Sequence, residues 1–299
     1  MIKYICPVCS SQDAGKSEKY RGKYPVFDDI SIIECLRCGA WSAFPVIQQE
    51  RLSILYEENY WNKEIYSRRL SYLEAQMTSR CEYIKSATNF SGALKVLDVG
   101  ASVGVFNRVA GRCFEKCTVD YSAVEVNPAA LDFLKNNCDN NRIFNSIDEA
   151  PGGFNLIILS HILEHISSPK MFLSAISEKL TDGGVIFVEV PNCDFRFKKY
   201  HQPHMLFYNI SSLKKVIEQA GFKCMSVDTC GRKVRQMQIE ANLSQYSLLE
   251  KVGQVISRLH AKTLTNNNLK NPVFAELETY GGDRRWIRLV AQKGSIKSL

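Results

Sequence analysis

From residue 93 onward the chain alternates short apolar runs with helical patterns, and this alternation restricts the fold more than any other feature. The runs are "LKVLDVG", "YSAVEVN", "GFNLIILS" and "VIFVEVPN". Between and after them come the helical stretches "VFNRVAGRC", "PAALDFLKNNC", "SPKMFLSAISEKLTDGG" and "SSLKKVIEQAGF". Pro128 falls in the first turn of the second, where its missing N–H would have no partner anyway. "KCMSVDTC" and "RRWIRLVAQKG" predict two late strands. The pattern predicts an α/β, Rossmann-like fold, a mainly parallel sheet with helices on both faces. Ligands of such sheets bind beyond the carboxyl ends of the strands.

The segment before residue 93 has a different character. "CPVC" at Cys6 to Cys9 and "CLRCG" at Cys35 to Cys38 make a C-x-x-C…C-x-x-C pattern. Four thiolates from two tight turns close a tetrahedron around a structural zinc ion, with no position left for chemistry. Cys6, Cys9, Cys35 and Cys38 are therefore the predicted metal ligands, and residues 1–48 a small N-terminal zinc ribbon. The apolar positions Leu70, Leu73, Met77, Cys81 and Ile84 recur every three or four residues, which predicts a helix. Residues 49–92 read as a helical linker or lid, with Tyr60 and Trp61 in an aromatic cluster that would cap a pocket. Residues 93–299 form the expected main domain, with a helical insertion at about 235–282.

Composition narrows the class. The chain is 45% hydrophobic and 23% charged, ordinary for a globular protein. No apolar run reaches membrane-span length, and residues 1–20 are too polar for a secretory signal. Seven of the eleven cysteines stand singly, outside the two pairs. Together these predict a cytoplasmic, reducing location. Residues 1–195 carry 20 Lys and Arg against 24 Asp and Glu, a balance of −4; residues 196–299 carry 18 against 7, or +11. The basic C-terminal third predicts either a phosphate-bearing partner or a solvated lysine-rich surface.

The stretch from Gly100 to Gly104 spells G-x-S-x-G, the pattern of a hydrolase nucleophile elbow. That reading also needs an oxyanion donor from an earlier βα loop, and no such unit precedes Ser102. A dinucleotide fingerprint fails because Ser102 and Val105 replace its second and third glycines, and a Walker loop fails for lack of Gly-Lys-Ser/Thr. What remains is Asp98 at a strand end, Gly100 and Gly104 permitting close backbone approach, and Glu125 ending the next strand. An acid at that place can accept both hydroxyls of a ribose.

These residues resemble the class I S-adenosylmethionine-dependent methyltransferases. "VLDVGASVG" is similar to their first motif, D-x-G-x-G-x-G, with Ser102 at the middle glycine, and "VEVNP" to their second. "FNLIILSHILEHISSP", "LTDGGVIFVEVPN" and "HMLFYNISSLKKVIEQAGF" are similar to later motifs, so the resemblance covers residues 95–225. It implies S-adenosyl-L-methionine as cofactor. Asp98 would lie near the methionyl amine, Gly100, Ser102 and Gly104 along the ligand, and Glu125 on the ribose. Ser146 and Ser160 would flank adenine and sulfonium, and Tyr60 joins the cofactor contacts. His161, His165, His201 and His204 fall near the ends of strands 4 and 5; His204 and His161 are the candidate catalytic groups.

Joined to an N-terminal ribbon, the motifs resemble sugar methyltransferases of nucleotide-sugar and polysaccharide pathways. The resemblance implies C- or O-methylation of a small, phosphate-bearing acceptor, with Arg196, Lys198 and Lys199 as candidate phosphate contacts. Two alternatives stay open: an RNA methyltransferase binding nucleic acid through its basic third, and a non-catalytic zinc-ribbon interaction protein on a methyltransferase scaffold.

Overall fold

The computed structural model describes residues 3–47, 63–138, 142–243, 277 and 279–294. Its main element is a seven-stranded sheet. Strands β4 (Gly92–Val99), β5 (Cys117–Val124), β6 (Ile143–Phe144), β7 (Phe154–Ser160) and β8 (Leu180–Pro191) run parallel. β10 (Phe222–Lys233) and β11 (Arg284–Lys293) complete the order β10-β11-β8-β7-β4-β5-β6, with β11 antiparallel to both its neighbours.

The sheet is covered on both faces, which explains its near-continuous apolar runs. On one face Leu94, Val96, Leu156, Ile158 and Phe187 pack under α1 (Lys63–Ala87) and α2 (Val105–Cys113). On the other, Leu97, Val99, Ile157, Leu159 and Val188 pack under α4 (Pro169–Lys179) and α5 (Ile210–Gln219). The alternation along β4 and β7 is the period of two that a pleated strand imposes. Each fully buried side chain of this kind is worth about 1.5–3 kcal/mol. α3 (Pro128–Asn137) follows β5 and starts on Asn127, whose side chain accepts from the N–H groups of Ala129 and Ala130.

The helix expected before β4 is α1. Its stripe Met77, Cys81 and Ile84 enters the core beside Phe106 and Val109 of α2, so the described part of the expected linker or lid packs as a wall of the main sheet. Tyr60 and Trp61 lie outside the described residues. The "LTDGG" stretch expected to close α4 belongs instead to β8, which begins at Leu180 directly after the helix; Gly183 there takes φ +71°. α6 (Val234–Leu243) falls where the helical insertion is expected, and residues 244–276 lie outside the described residues. Among the described residues no helix is long and apolar enough to cross a membrane.

The N-terminal sheet is antiparallel and four-stranded: β1 (Ala14–Lys19), β2 (Ser31–Cys35), β3 (Trp41–Phe44) and β9 (Leu206–Phe207). Its last strand comes from the loop between β8 and α5, so the ribbon is finished by the main domain. The two parts also share cores. Tyr4, Cys6, Val8 and Ala40 pack with Leu173, Leu213 and Ile217, while Tyr20, Phe27, Ile32 and Trp41 pack with Phe195, Met205 and Phe207. Asn209 adds a polar tie: it caps α5 by accepting from Ser212 N–H at 2.8 Å and donates to the Gly39 carbonyl at 3.0 Å.

Candidate active site

The four ribbon cysteines meet at one point. Cys6 Sγ lies 3.7 Å from Cys38 Sγ and Cys9 Sγ 3.5 Å from Cys35 Sγ, and all four sulfurs lie within 4.8 Å of one another. Bonds of about 2.3 Å to a tetrahedral zinc place sulfurs roughly 3.8 Å apart, so the set fits the ion. The two knuckles are near copies. The residue after each second cysteine, Ser10 or Gly39, has φ of 63° or 72°, and its N–H donates to the first cysteine's carbonyl at 2.8 Å. Ser10 thus does the work of a turn glycine, which its identity alone does not reveal.

The loop after β4 lies at the carboxyl end of the parallel strands, where the sequence places a ligand. Gly100, Ser102 and Gly104 all have positive φ, at 70°, 51° and 67°. A Cβ on Gly100 would sit 2.4 Å from the tip of the Ile162 side chain, and the φ of 70° strains any other residue there. Glu125 is buried at the end of β5 and ties the loop to the next one. Its Oε2 accepts from Ser102 N–H and its Oε1 from Asn127 N–H, both at 2.8 Å. Asp98 is buried beneath the loop with Tyr121 Oη donating to it at 3.4 Å, and burial pushes its carboxyl up to about 7. The structure thus brings Asp98, Gly100, Ser102, Gly104 and Glu125 together. Ser160 closes β7 with its Oγ buried and, among the described residues, without a hydrogen-bond partner. Ser146 lies in the turn after β6, its Oγ accepting from Glu149 N–H at 3.4 Å.

A cleft of ≈ 140 Å³ opens beyond β7 and β8, lined among others by His161, Glu164, His165, Asp194, Lys198 and His204. A short 3-10 turn at Leu163–His165 and another at Asp194–Arg196 supply its carboxylates. His204 Nδ1 lies 3.0 Å from Asp194 Oδ2, which also pairs with Lys198 Nζ at 2.6 Å. Burial alone would raise the Asp194 pKa, but His204 and Lys198 hold it well below the usual carboxylate range. His165 stands edge-on to His204 with ring centroids 4.9 Å apart, and burial pulls its pKa down to about 4.

His161 sits differently. Its Nδ1 is 3.1 Å from Glu164 Oε1 and its Nε2 3.2 Å from Glu189 Oε1. Burial would lower its pKa, yet hydrogen bonds to both glutamates raise it. With a carboxylate at each ring nitrogen, His161 has no nitrogen turned to an acceptor's proton. Glu189 is fully buried in β8 and also takes Arg80 Nη2 from α1 and Arg288 Nε from β11, each at 2.6 Å. Desolvation opposes its charge, and the two arginines outweigh that and keep its pKa well below the ordinary value.

The remaining sequence candidates divide. Lys198 lines the cleft; Arg196 is engaged with Asp283 at 2.8 Å, and Lys199 lies over the Tyr200 ring at 5.4 Å. His201 faces the ribbon, where Arg21 Nε donates to its Nε2 at 2.8 Å. Sequence reasoning missed Asp194, Arg285 and Trp286, which also line the cleft. Arg285 stacks over Trp286 at 4.5 Å. Only Asp194 carried a signal, an acid just past the end of an apolar strand.

Comparisons with known proteins bear on this arrangement. A family model described as a methyltransferase domain matches residues 61–227. The ubiquinone biosynthesis O-methyltransferase of Xanthomonas euvesicatoria pv. vesicatoria (strain 85-10) is 28% identical over 125 residues, 40% of this chain and 52% of that protein. The chain thus spans about half the length of the curated relatives it matches. A chain from the complex between the Haloferax volcanii Trm112 methyltransferase activator and a methyltransferase superposes with a TM-score of 0.51 at 10% identity. That match covers 79% of this chain and 97% of that one, and is a likeness of fold. Phosphoethanolamine N-methyltransferase 2 of Haemonchus contortus, in complex with S-adenosyl-L-methionine, gives a TM-score of 0.44 at 12% identity, over 72% of this chain and 52% of that one.

Proposed function

The chain belongs to the methyltransferase-domain family, whose model matches more than half of it, and on that premise we propose that it moves a methyl group from S-adenosyl-L-methionine to a small acceptor, a nucleotide-sugar or polysaccharide precursor. The observation that carries the donor is the Glu125 carboxylate at the end of β5, facing the Gly100–Gly104 loop across 2.8 Å. In this reading Glu125 accepts the ribose hydroxyls on lone pairs its two N–H bonds leave over, Asp98 lies toward the methionyl amine, and Ser102 lines the ligand without acting as a nucleophile. Ser160, whose Oγ at the end of β7 has no partner among the described residues, contributes a polar contact on the same side. Ser146 and Tyr60 are assigned to the donor by the family resemblance.

The acceptor sits in the cleft. Lys198 and Arg285 give it two cations suited to a phosphate, and Trp286 and Phe197 give it apolar walls. Lys199 and Arg196 stand in the same loop region as secondary phosphate contacts. A sulfonium is a good leaving group, so the protein's task is to align the acceptor with the methyl carbon and limit water. His204, oriented by Asp194, is the side chain proposed to activate the acceptor. His161 steadies Glu164 and Glu189 from within the network. The four cysteines hold one zinc ion per chain that braces the ribbon.

The test is calorimetric titration of the full chain with S-adenosyl-L-methionine, followed by labelled-methyl transfer to a panel of nucleotide-sugars and to their phosphate-free sugars. Donor binding with transfer to the nucleotide-linked members is expected. His204→Ala should lower turnover about 100-fold while leaving donor affinity unchanged. Absence of donor binding by the folded protein would overturn the reading, and equal transfer to phosphate-free sugars would remove the phosphate from it.

A further inference from the structure

We propose that Glu164, His165 and His204 form a second metal site, separate from the four cysteines, that holds a divalent first-row cation at the cleft and presents it to a 1,2-diol on the acceptor. The use made of the cation rests on the methyl-transfer reading; its binding does not.

The three side chains come from two places in the fold. Glu164 and His165 belong to the turn after β7, and His204 to the loop after β8. One ligand atom from each lies within 4.8 Å of the other two. Glu164 is only 1% exposed, and its Oε1 faces His161. Its Oε2 is buried and, among the described residues, has no hydrogen-bond partner. A buried acceptor left in that state is destabilising, more so when charged. A cation bound there removes the deficit.

The surroundings are those of a held ligand set. Histidines that bind metals are fixed by a carboxylate or carbonyl on the other ring nitrogen. His204 Nδ1 lies 3.0 Å from Asp194 Oδ2, an ion-pair distance that places a carboxylate beside the ring without a hydrogen bond to it. The Pro203 backbone hydrogen-bonds a ring nitrogen of His165. Lys198 pins Asp194, and His161 pins Glu164 against Glu189. Glu164 and His165 are thus held by hydrogen bonds, and His204 stands against the Asp194 carboxylate.

Three protein ligands leave positions open, and all three residues line the cleft. That separates the site from the closed four-cysteine cluster and gives it the form of a working metal centre. Two imidazoles and a carboxylate favour manganese, iron(II), cobalt or zinc over calcium and magnesium, which prefer oxygen. Adjacent hydroxyls of a diol can occupy two open positions together. With the cation bound, His204 activates the acceptor through the metal and does not itself take the proton: coordination lowers the pKa of the hydroxyl to be methylated, and its proton passes to water in the cleft. The oxygen then forms the new bond to the methyl carbon while the sulfur–methyl bond breaks. That electron pair stays on sulfur, and the sulfonium becomes a neutral thioether.

Manganese(II) is the probe, because it competes poorly for the thiolates of the ribbon. The full-length protein, with its zinc content measured before and after, is titrated with MnCl2 while the resonance of unbound manganese is followed. One ion per chain is expected. Glu164→Gln and His165→Asn should each weaken binding more than tenfold. Asp194→Asn should weaken it about 10- to 100-fold through His204, and Lys214→Ala should leave it unchanged. Where a variant fails to fold, the wild-type chain with labelled histidines still decides: manganese must broaden the ring signals of His165 and His204. Folded, zinc-loaded protein that leaves the free-manganese signal intact, or binding indifferent to all three site variants, would overturn the proposal. Manganese binding without binding of S-adenosyl-L-methionine would overturn the methyl-transfer reading and keep the site; the opposite result would do the reverse.

Discussion

The backbone N–H of Ser102 donates to Oε2 of Glu125 at 2.8 Å, so the loop after β4 is fastened to the end of β5. The bond runs from the main chain and leaves the Ser102 side chain out of it. Ser102 also holds a φ of 51°, where a side chain costs about 1 kcal/mol relative to glycine. Ser102→Gly should therefore fold at least as stably as the parent, bind S-adenosyl-L-methionine equally well, and retain turnover. Gly100→Val should abolish donor binding, because a β-branched residue is strained at φ 70° and would shift the loop. Calorimetry on the two variants checks both, and loss of all turnover in Ser102→Gly would restore the hydrolase reading.

Asp98 makes stability depend on pH. Burial raises its pKa to about 7, above that of the unfolded chain, so the folded protein holds a proton the unfolded one has released. Its contribution is fully present below about pH 4 and is lost as pH rises through 7. Urea unfolding of wild type and Asp98→Asn should show a difference that changes by a few kcal/mol between pH 4 and pH 8, with the wild type losing ground as pH rises. A cationic donor favours the ionised carboxylate, so donor affinity should climb from pH 6 to pH 8 in the wild type and stay level in the variant. Parallel stability curves for the two proteins would refute the assignment.

Removing the ribbon metal should reach beyond the ribbon. Cys6 and Cys35 share a core with Leu173, Leu213 and Ile217, so Cys35→Ser should loosen both. Freshly purified protein should carry zinc at one ion per chain in the four-cysteine cluster, and Cys35→Ser should lose it. Hydrogen exchange should then speed up in α5 as well as in β2 and β3. Zinc loss with α5 protection unchanged would mean the two parts are energetically separate.

Arg288 is fully buried against Glu189, and Arg80 and His161 complete the cluster. Arg288→Met leaves a buried carboxylate short of a partner and should destabilise the protein by about 3–5 kcal/mol. Adding Glu189→Leu should not recover that loss, because it strips the buried Arg80 guanidinium of the carboxylate that both its Nε and Nη2 bond. Equilibrium unfolding in urea measures each step. A single-variant loss below about 1 kcal/mol would show that solvent or a neighbour compensates.

What was legible in the sequence was what repeats or clusters locally. Strands such as "LIIL" are apolar at every position because both faces of the sheet are covered, and the two cysteine pairs announce their own geometry. The stripe Leu73, Met77, Cys81 and Ile84 gives a helix, but not what the helix packs on. Distant pairings left weaker traces. Glu189 stands alone in the apolar run "VIFVEVPN", and a lone acid in a core strand calls for buried cations. Its partners Arg80 and Arg288 lie about 100 residues away on either side, so no local pattern identifies them. The cleft is illegible for the same reason, since Asp194, His204 and Arg285 come from different parts of the chain.

The two-residue strand β9 gives the chain an order of completion. Trp41 pairs with Phe207 and Ser42 with Leu206, partners about 165 residues apart. A polypeptide emerges from the ribosome N-terminus first, so the cysteine knuckles are exposed early while β3 waits with one edge open until residue 207 appears. That edge carries Trp41 and Ala43, apolar groups that invite pairing with other chains. Contacts so far apart in sequence form slowly. The ribbon is made well before residue 207 and is therefore finished late, and early metal capture at the knuckles would shorten the interval in which its edge is bare.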